Sequence, residues 1–341
     1  MSLKNEILSQ VDLDDGLQLY YNFDENLIDG SPSEFNGEES GTIYTEDRYG
    51  NPNSAIDFTG GDKFVKVGNV LNETFSGVGN QFTISLWLNP SLDTMTNHVI
   101  MGKLSDFGCS ENERQFVLRL FDKQNLSLTY YSALTSGNAR RVNSFLSLDS
   151  IGLWYQVIVE YDGTINTNDG LDRVKLYVNC MEEETYLETS TGELGDIQEG
   201  EAPLSFGNYL DKSGNSCQSI TAYEGKLDEV RLYNRLLTED EKQLLCTGMT
   251  TSLNEDITEE VNYRIYPNPS TGEFYIESKM TNEKPDKIIV RNRMGRIERE
   301  LEIEGNKVVL DKNLLNGLYF VEFISRGNKI ARQEKLLLLR N

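Results

Sequence analysis

Short runs of Val, Ile, Leu, Phe, Tyr and Thr, in which apolar and polar positions alternate, recur along the whole chain with Gly, Asn and Asp between them. A period of two puts successive side chains on opposite faces, the mark of a half-buried strand. The pattern predicts strands at Gly16 to Phe23, Ala55 to Phe58, Lys63 to Val67, Phe82 to Asn89, His98 to Lys103, Gln115 to Phe121, Leu126 to Tyr131, Trp154 to Tyr161, Arg173 to Val178, Leu204 to Gly207 and Gly225 to Tyr233. One clear helix is predicted, Thr238 to Leu245, where Thr238 can cap and Glu241 stands three residues on as a capping box. So many short strands at regular spacing imply an all-β sandwich or barrel.

Beyond the helix the pattern lapses. Residues 248–262 are polar and acidic without an apolar period and read as a linker. Strand patterns resume at Glu273 to Glu277, Lys287 to Arg291, Arg296 to Ile303, Lys307 to Leu310, Leu318 to Ile324 and Ile330 to Leu339, with turns at Asn316-Gly317 and Arg326-Gly327-Asn328. The expected organisation is therefore a large β-domain over residues 1–247, an acidic linker over 248–262 and a small β-sandwich over 263–341. Charge divides the same way. Residues 1–247 carry 17 basic and 40 acidic residues, whereas 248–341 carry 15 of each, so the whole net charge of −23 belongs to the first domain. That balance repels phosphate backbones and anionic headgroups, so nucleic acid is not an expected partner. No apolar run reaches the roughly 18 to 20 residues of a transmembrane helix.

Candidate chemistry is sparse. The single histidine, His98, precedes a Val-Ile-Met strand and reads as an ordinary strand-edge residue rather than a triad member. The acidic clusters Glu111-Asn112-Glu113 and Asp228-Glu229 lack the alternating spacing of paired catalytic carboxylates. The loop Asp162 to Asp172 is rich in Asp and Asn but misses the EF-hand spacing, and reads as a long hairpin loop. Trp87 and Trp154, among alternating apolar residues, are expected in the core. Alternation puts Arg119 opposite the apolar face of its strand, so Arg119 and Tyr131 are candidates to line an open sheet face, with Tyr209 on a nearby loop. Cys109, Cys180, Cys217 and Cys246 are widely spaced, without a Cys-x-x-Cys pair, and fit either two disulfides or four reduced thiols. The opening Met1-Ser2-Leu3-Lys4-Asn5-Glu6 has no apolar export segment, so a native export signal is not expected within this chain.

An ordered set of segments in the first domain resembles the laminin G-like branch of the concanavalin A-like lectin/glucanase superfamily. They are Gly16 to Asp24 with Asp29, Arg48-Tyr49-Gly50-Asn51, Ala55 to Gly60, Phe82 to Pro90, Trp154 to Val159 with Tyr161-Asp162-Gly163, Val174 to Asn179, and Tyr223 to Arg235. One departure is Cys180 where the family's late hairpin has Asn-Gly. The resemblance implies a jelly-roll sandwich and a structural calcium ion where the acidic loop after the first strand meets the last strand. The candidate ligands are Asp24, Asp29, Asn36 and Asp228 with the Gly60 carbonyl. The superfamily's glucanases carry Glu-x-Asp-x-x-Glu on one strand. No such string is present here, so the expectation is a non-catalytic protein.

The second domain resembles the C-terminal sorting domain of the type IX secretion system, and the expected fold is a small immunoglobulin-like β-sandwich. The matching residues are Tyr266-Pro267-Asn268-Pro269-Ser270-Thr271-Gly272, Asn292 to Arg296, Leu315-Asn316-Gly317-Leu318-Tyr319 and the basic-apolar end from Lys335 to Arg340. Two prolines fix φ in the first of these, and Gly272 frees the turn after it. This resemblance implies a Bacteroidota protein carried across the outer membrane by the type IX machinery, to be released or held at the surface. It also favours disulfides over free thiols. Of three connectivities, the expected one joins Cys109 to Cys217, both in Ser/Asn/Gly-rich loops, leaving Cys180 with Cys246. The function these readings imply is recognition of a glycan or glycoprotein. A structural adhesin that binds protein partners is the alternative, and a glycan-cleaving enzyme of the superfamily is the second alternative.

Overall fold

The computed structural model describes residues 11–91, 97–105, 109, 113–122, 124–134, 137–148, 152–217, 222–247, 263–268, 270–278, 285–292, 297–303, 305–314, 317–325, 329–338 and 340. The linker expected over 248–262 lies outside the described residues, as do Glu111, Asn112, Pro269 and the turns at Asn316 and at 326–328. Contacts divide the chain into two units, residues 1–245 and 246–341.

The first unit is the expected all-β sandwich. Its strands are β1 (Leu17–Tyr21), β2 (Glu38–Ser40), β3 (Ile43–Thr45), β4 (Ala55–Asp57), β5 (Phe64–Gly68), β6 (Gln81–Pro90), β7 (His98–Ser105), β8 (Glu113–Phe121), β9 (Asn125–Tyr131), β10 (Ala139–Ser147), β11 (Tyr155–Asp162), β12 (Val174–Val178), β13 (Met181–Glu182), β14 (Thr185–Ser190), β15 (Leu204–Phe206) and β16 (Gly225–Tyr233). One eight-stranded sheet runs β13-β12-β11-β6-β16-β4-β3, with β1 also paired to β16; the other runs β14-β10-β9-β8-β7-β15-β5-β2. All the pairings within both sheets are antiparallel. Phe82 and Tyr161 of the first sheet, 5.0 Å apart, meet Phe116 and Tyr130 of the second, with ring centroids 5.7 and 5.1 Å apart. This aromatic centre and the fully buried Ile84, Leu86, Val157, Val159, Leu118 and Leu128 around it form the apolar core.

A helix α1 (Asn72–Phe75) precedes β6 and buries Phe75 against Phe82 and Phe116. The second helix, α2 (Glu239–Thr247), begins at the expected capping box: the Glu241 carboxylate accepts from the Thr238 amide at 2.7 Å, and the Thr238 hydroxyl accepts from the Glu241 amide at 3.3 Å. Lys242 ties this helix to the first sheet, pairing with Glu160 at 3.4 Å and donating to the Tyr177 hydroxyl at 3.0 Å.

The second unit has strands β17 (Tyr263–Tyr266), β18 (Glu273–Ser278), β19 (Lys287–Asn292), β20 (Ile297–Glu302), β21 (Lys307–Val309), β22 (Gly317–Ser325) and β23 (Lys329–Leu338). They form a three-stranded sheet, β17-β18-β21, and a four-stranded one, β20-β19-β22-β23. Phe274, Ile276 and Val308 from the first pack with Val290, Val321 and Leu336 from the second in one buried cluster, so this is the expected small two-sheet sandwich. Some of its described motif residues meet one another. Gly272 donates to the Ser270 hydroxyl at 3.0 Å and its carbonyl accepts from Leu310 at 2.8 Å, while Ser270 bridges Leu338 of the last strand. Arg340 reaches back to the carbonyls of Thr271, Leu314, Leu310 and Asp311. Gly272 has φ +112°, a conformation that favours glycine, and the Arg340 guanidinium lies close over it. Pro267 follows a cis peptide bond, Gly317 pairs with Leu338, Tyr319 is buried in the core, and Lys335 pairs with Phe320.

Candidate functional site

Both tryptophans depart from the expectation of a core position. Trp87 alternates with the buried Leu86 and Leu88 and so points away from the sandwich, half-buried beneath the Arg48 guanidinium at 4.6 Å. Trp154 is also half-buried, just before β11.

The residues expected to hold calcium do not fit the ion. Both carboxylate oxygens of Asp29 are already spent on the loop. Oδ1 accepts from the Tyr20 and Ser31 amides at 2.8 and 2.9 Å, and Oδ2 from the Ser31 hydroxyl and the Phe35 amide at 2.8 Å. Asn36 turns its Oδ1 to the Asp29 amide, Asp24 is exposed and accepts from Asn22, and Gly60 donates to Glu224. Asp228 is paired with Arg48 at 2.5 Å, and burial lifts its carboxyl to about 8 against the pull of that guanidinium. A hard cation needs several free oxygens converging. Among the described residues no group of three or more His, Cys, Asp or Glu side chains is placed to hold one. In the loop after β11, Asp162 accepts from Thr164, Asp169 pairs with Arg140, and Asp172 accepts from Thr167 and Asn168.

The outer face of the second sheet carries the candidate binding residues, though not as expected. Along β8, Phe116 and Leu118 face the core, so Val117, Arg119 and Phe121 face out, and cross-strand pairing extends that face through Ser127, Thr129 and Tyr131 of β9 to Ala139, Arg141 and Asn143 of β10. One end of it is closed. Tyr131 and Tyr209 are buried there in a second apolar cluster with Val99, Leu104 and Val117, against which Cys217 packs. Cys217 is bonded to Cys109, with Cα atoms 4.8 Å apart. Cys180 and Cys246 are also disulfide-bonded, and no cysteine is free. Tyr131 and Tyr209 therefore do not line an open surface, and Arg119 is only 1% exposed.

The other end is open, and sequence reasoning missed it. Phe145 of β10 is 61% exposed and lies against Tyr186 of β14, ring centroids 4.7 Å apart. Beside them Arg141 stands 4.3 Å from the Phe121 ring and pairs with Glu188 at 2.8 Å. Burial and the like charge of Arg119 hold the Arg141 pKa below its ordinary value. Asn143 donates to the Tyr186 hydroxyl at 3.2 Å, fixing that ring on the face. An exposed aromatic pair flanked by a guanidinium and an amide can stack on a flat apolar surface and hydrogen-bond its polar rim. Of the acidic candidates, Glu113 is held by Lys212 at 3.1 Å and Glu229 by Arg231 at 2.6 Å. His98 is buried, with Nδ1 2.8 Å from the Ala222 carbonyl.

The architecture is that of a large two-sheet β-sandwich domain followed by a small β-sandwich one. Residues 59–241, more than half of the chain, match the family model of the concanavalin A-like lectin/glucanases superfamily, and the chain belongs to that superfamily. Residues 264–337 match the model of the secretion system C-terminal sorting domain. Comparison with curated proteins gave no match. Among solved structures, the chain is similar to domain 4 of AbnA, a GH43 extracellular arabinanase from Geobacillus stearothermophilus, in complex with arabinotriose (18% identity, 67% of this chain and 98% of that one, TM-score 0.44). It is also similar to the binding domain of Paraclostridial Mosquitocidal Protein 1 (17% identity, 92% and 76%, TM-score 0.45). A third is the binding domain of botulinum neurotoxin DC, in complex with rat synaptotagmin II (13% identity, 95% and 74%, TM-score 0.49).

Proposed function

We propose that this is a secreted, non-catalytic binding protein that recognises a glycan or glycoprotein through the outer face of its second sheet, and that the C-terminal domain directs its export by the type IX machinery. The observation that carries the reading is the exposed Phe145–Tyr186 pair beside Arg141 on the outer sheet face. Sugar rings present an apolar face to an aromatic ring and a rim of hydroxyls to polar side chains, and this end of the sheet offers both. A non-catalytic role is supported by the ion pairs that occupy Glu113, Glu188 and Glu229.

The test is glycan-array binding by the full chain, followed by titration of the best glycan with the Phe145→Ala and Tyr186→Ala variants. Each substitution is expected to weaken binding about tenfold, the loss of a stacked aromatic anchor, with melting temperature unchanged for Phe145→Ala and lowered for Tyr186→Ala, which also takes the acceptor from the buried Asn143 amide. Saturable binding to a protein ligand without any glycan signal would replace this reading with the adhesin one. Release of reducing ends from a polysaccharide would replace it with the enzyme.

A further inference from the structure

The same face holds a positive charge that the protein leaves unbalanced, a feature whose role rests on the face being the glycan-binding surface. Arg119 is 1% exposed. A guanidinium has five N–H donors, and here Nη1 donates to Asn97 Oδ1 at 3.1 Å and Nη2 to Thr129 Oγ1 at 2.7 Å, while the buried Nε has no acceptor. No carboxylate among the described residues pairs with it. The fold treats its other buried arginines differently. Arg140 has Asp169 at 2.8 Å together with the carbonyls of Asp169 and Thr191, and Arg173 has Asp196 at 3.6 Å together with the carbonyls of Ile165 and Gly195.

The imbalance continues across the sheet. Ser127 stands opposite Arg119, and Asn143 stands opposite Ser127. Both are fully buried, and both keep an atom without a partner, Ser127 Oγ and Asn143 Oδ1. Three cross-strand neighbours in one row thus carry open hydrogen-bonding positions where desolvation makes each costly. Arg141 adds a second guanidinium, sharing the Thr129 hydroxyl at 3.3 Å. Its one carboxylate, Glu188, comes from the edge strand β14 and is 34% exposed.

We propose that this row receives an anionic group borne by the glycan, a carboxylate or a sulfate ester, and that Glu188 occupies Arg141 in its place until the ligand arrives. The anion accepts from Arg141, released by Glu188, and from Arg119 Nε and Ser127 Oγ, and Asn143 Oδ1 accepts from a sugar hydroxyl. Arg141 and Phe121 are the side chains whose shift uncovers Arg119, since the Phe121 ring stands 4.3 Å from the Arg141 guanidinium and 5.5 Å from that of Arg119. Releasing Arg141 from a partly exposed ion pair costs little.

The test uses the full chain and four immobilised probes: oligogalacturonate, its methyl ester, dextran sulfate and dextran. At least one charged probe is expected to bind about tenfold or more tightly than its neutral counterpart, the scale of one charge-assisted hydrogen bond, and which one it is separates carboxylate from sulfate. Glu188→Gln, which removes the internal competitor, is expected to tighten the charged probe about two- to fivefold and leave the neutral one unchanged. Arg141→Gln is expected to erase the preference, and Ser127→Ala, which preserves packing, to weaken the charged probe alone. Equal binding of charged and neutral probes would overturn the anion site while leaving the glycan reading intact. Failure of all four to bind, with a blank glycan array, would overturn both.

Discussion

Removing the Cys109–Cys217 bond with the double variant Cys109→Ala, Cys217→Ala perturbs both the unfolded chain and the closed end of the outer sheet face. The two cysteines lie 108 residues apart. Closing a loop of that length removes about 16 cal/mol/K of chain entropy from the unfolded state, or about 5 kcal/mol at 25 °C. That is a third or more of the 5 to 15 kcal/mol by which domains are typically stable. The native state loses contacts as well, because Cys217 packs on the cluster of Val99, Leu104, Val117, Tyr131 and Tyr209. Urea denaturation followed by tryptophan fluorescence is the assay, since Trp87 and Trp154 are the chain's only two tryptophans and report on the first domain alone. The midpoint is expected to fall by about 1.5 M for a slope near 3 kcal/mol/M, with the slope itself rising as the unlinked chain exposes more surface. The double variant is needed because a reductant would open the other disulfide too. A loss below about 1 kcal/mol would refute the argument, and with it the view that this bond holds the sheet face closed at that end.

The buried acids give two further expected outcomes. Asp228 titrates near 8 in the fold against 3.8 for an ordinary carboxyl. The folded state therefore holds a proton that the unfolded state has lost, and the contribution declines as pH rises from about 4 to about 8. Asp228→Asn is expected to match the wild type near pH 4 and to gain on it steadily towards pH 8 in parallel urea titrations; a difference that runs the other way would show Arg48 prevailing over burial. Asp29→Ala strips the acceptor from four donors and is expected to cost about 2 to 4 kcal/mol, whereas EDTA is expected to leave the melting temperature of the wild type unmoved. A fall of several degrees on chelation would restore the calcium reading of this loop.

Much of the fold was legible because its strands alternate. Gln81–Pro90, Tyr155–Asp162 and Gly225–Tyr233 are central strands whose inward residues are mostly large and apolar, and each falls within a residue or two of its predicted span. The helix announced itself through Thr238 and Glu241. The site was less legible, for a physical reason. Its open end is built on Ala139–Ser147 and Thr185–Ser190, which the sequence pattern passed over. In the first, Arg140 and Ser144 are polar yet point inward, where Asp169 and the Leu126 amide meet them, so the apolar alternation is broken on the core side. The second is a six-residue edge strand with no fully buried residue. Conversely, Tyr131 and Tyr209 had the composition of a sugar platform, but the disulfide that brings Cys217 over them is a contact between segments 108 residues apart, which no local pattern encodes.

The division of this face into a closed and an open end bears on how it can bind. Binding is strongest where the contacting groups are already held in place, so that little conformational freedom is lost on association. The disulfide and the Tyr131–Tyr209 cluster anchor strands β7 to β9 at one end, and the same strands carry Arg119, Ser127 and Thr129 toward the other. The outer layer, apart from the Tyr186 hydroxyl that Asn143 holds, is tied down more loosely. Phe145 is exposed, Glu188 sits on an edge strand, and Arg141 is held by one partly exposed carboxylate and one shared hydroxyl. The inner row is therefore rigid and under-satisfied, and the layer over it is adjustable and weakly held. A surface whose only task was to shield the sheet from water would show the reverse, with the buried row satisfied and the exposed layer free of aromatic rings. The arrangement found here is the one expected where a ligand completes the hydrogen bonding that the fold leaves open.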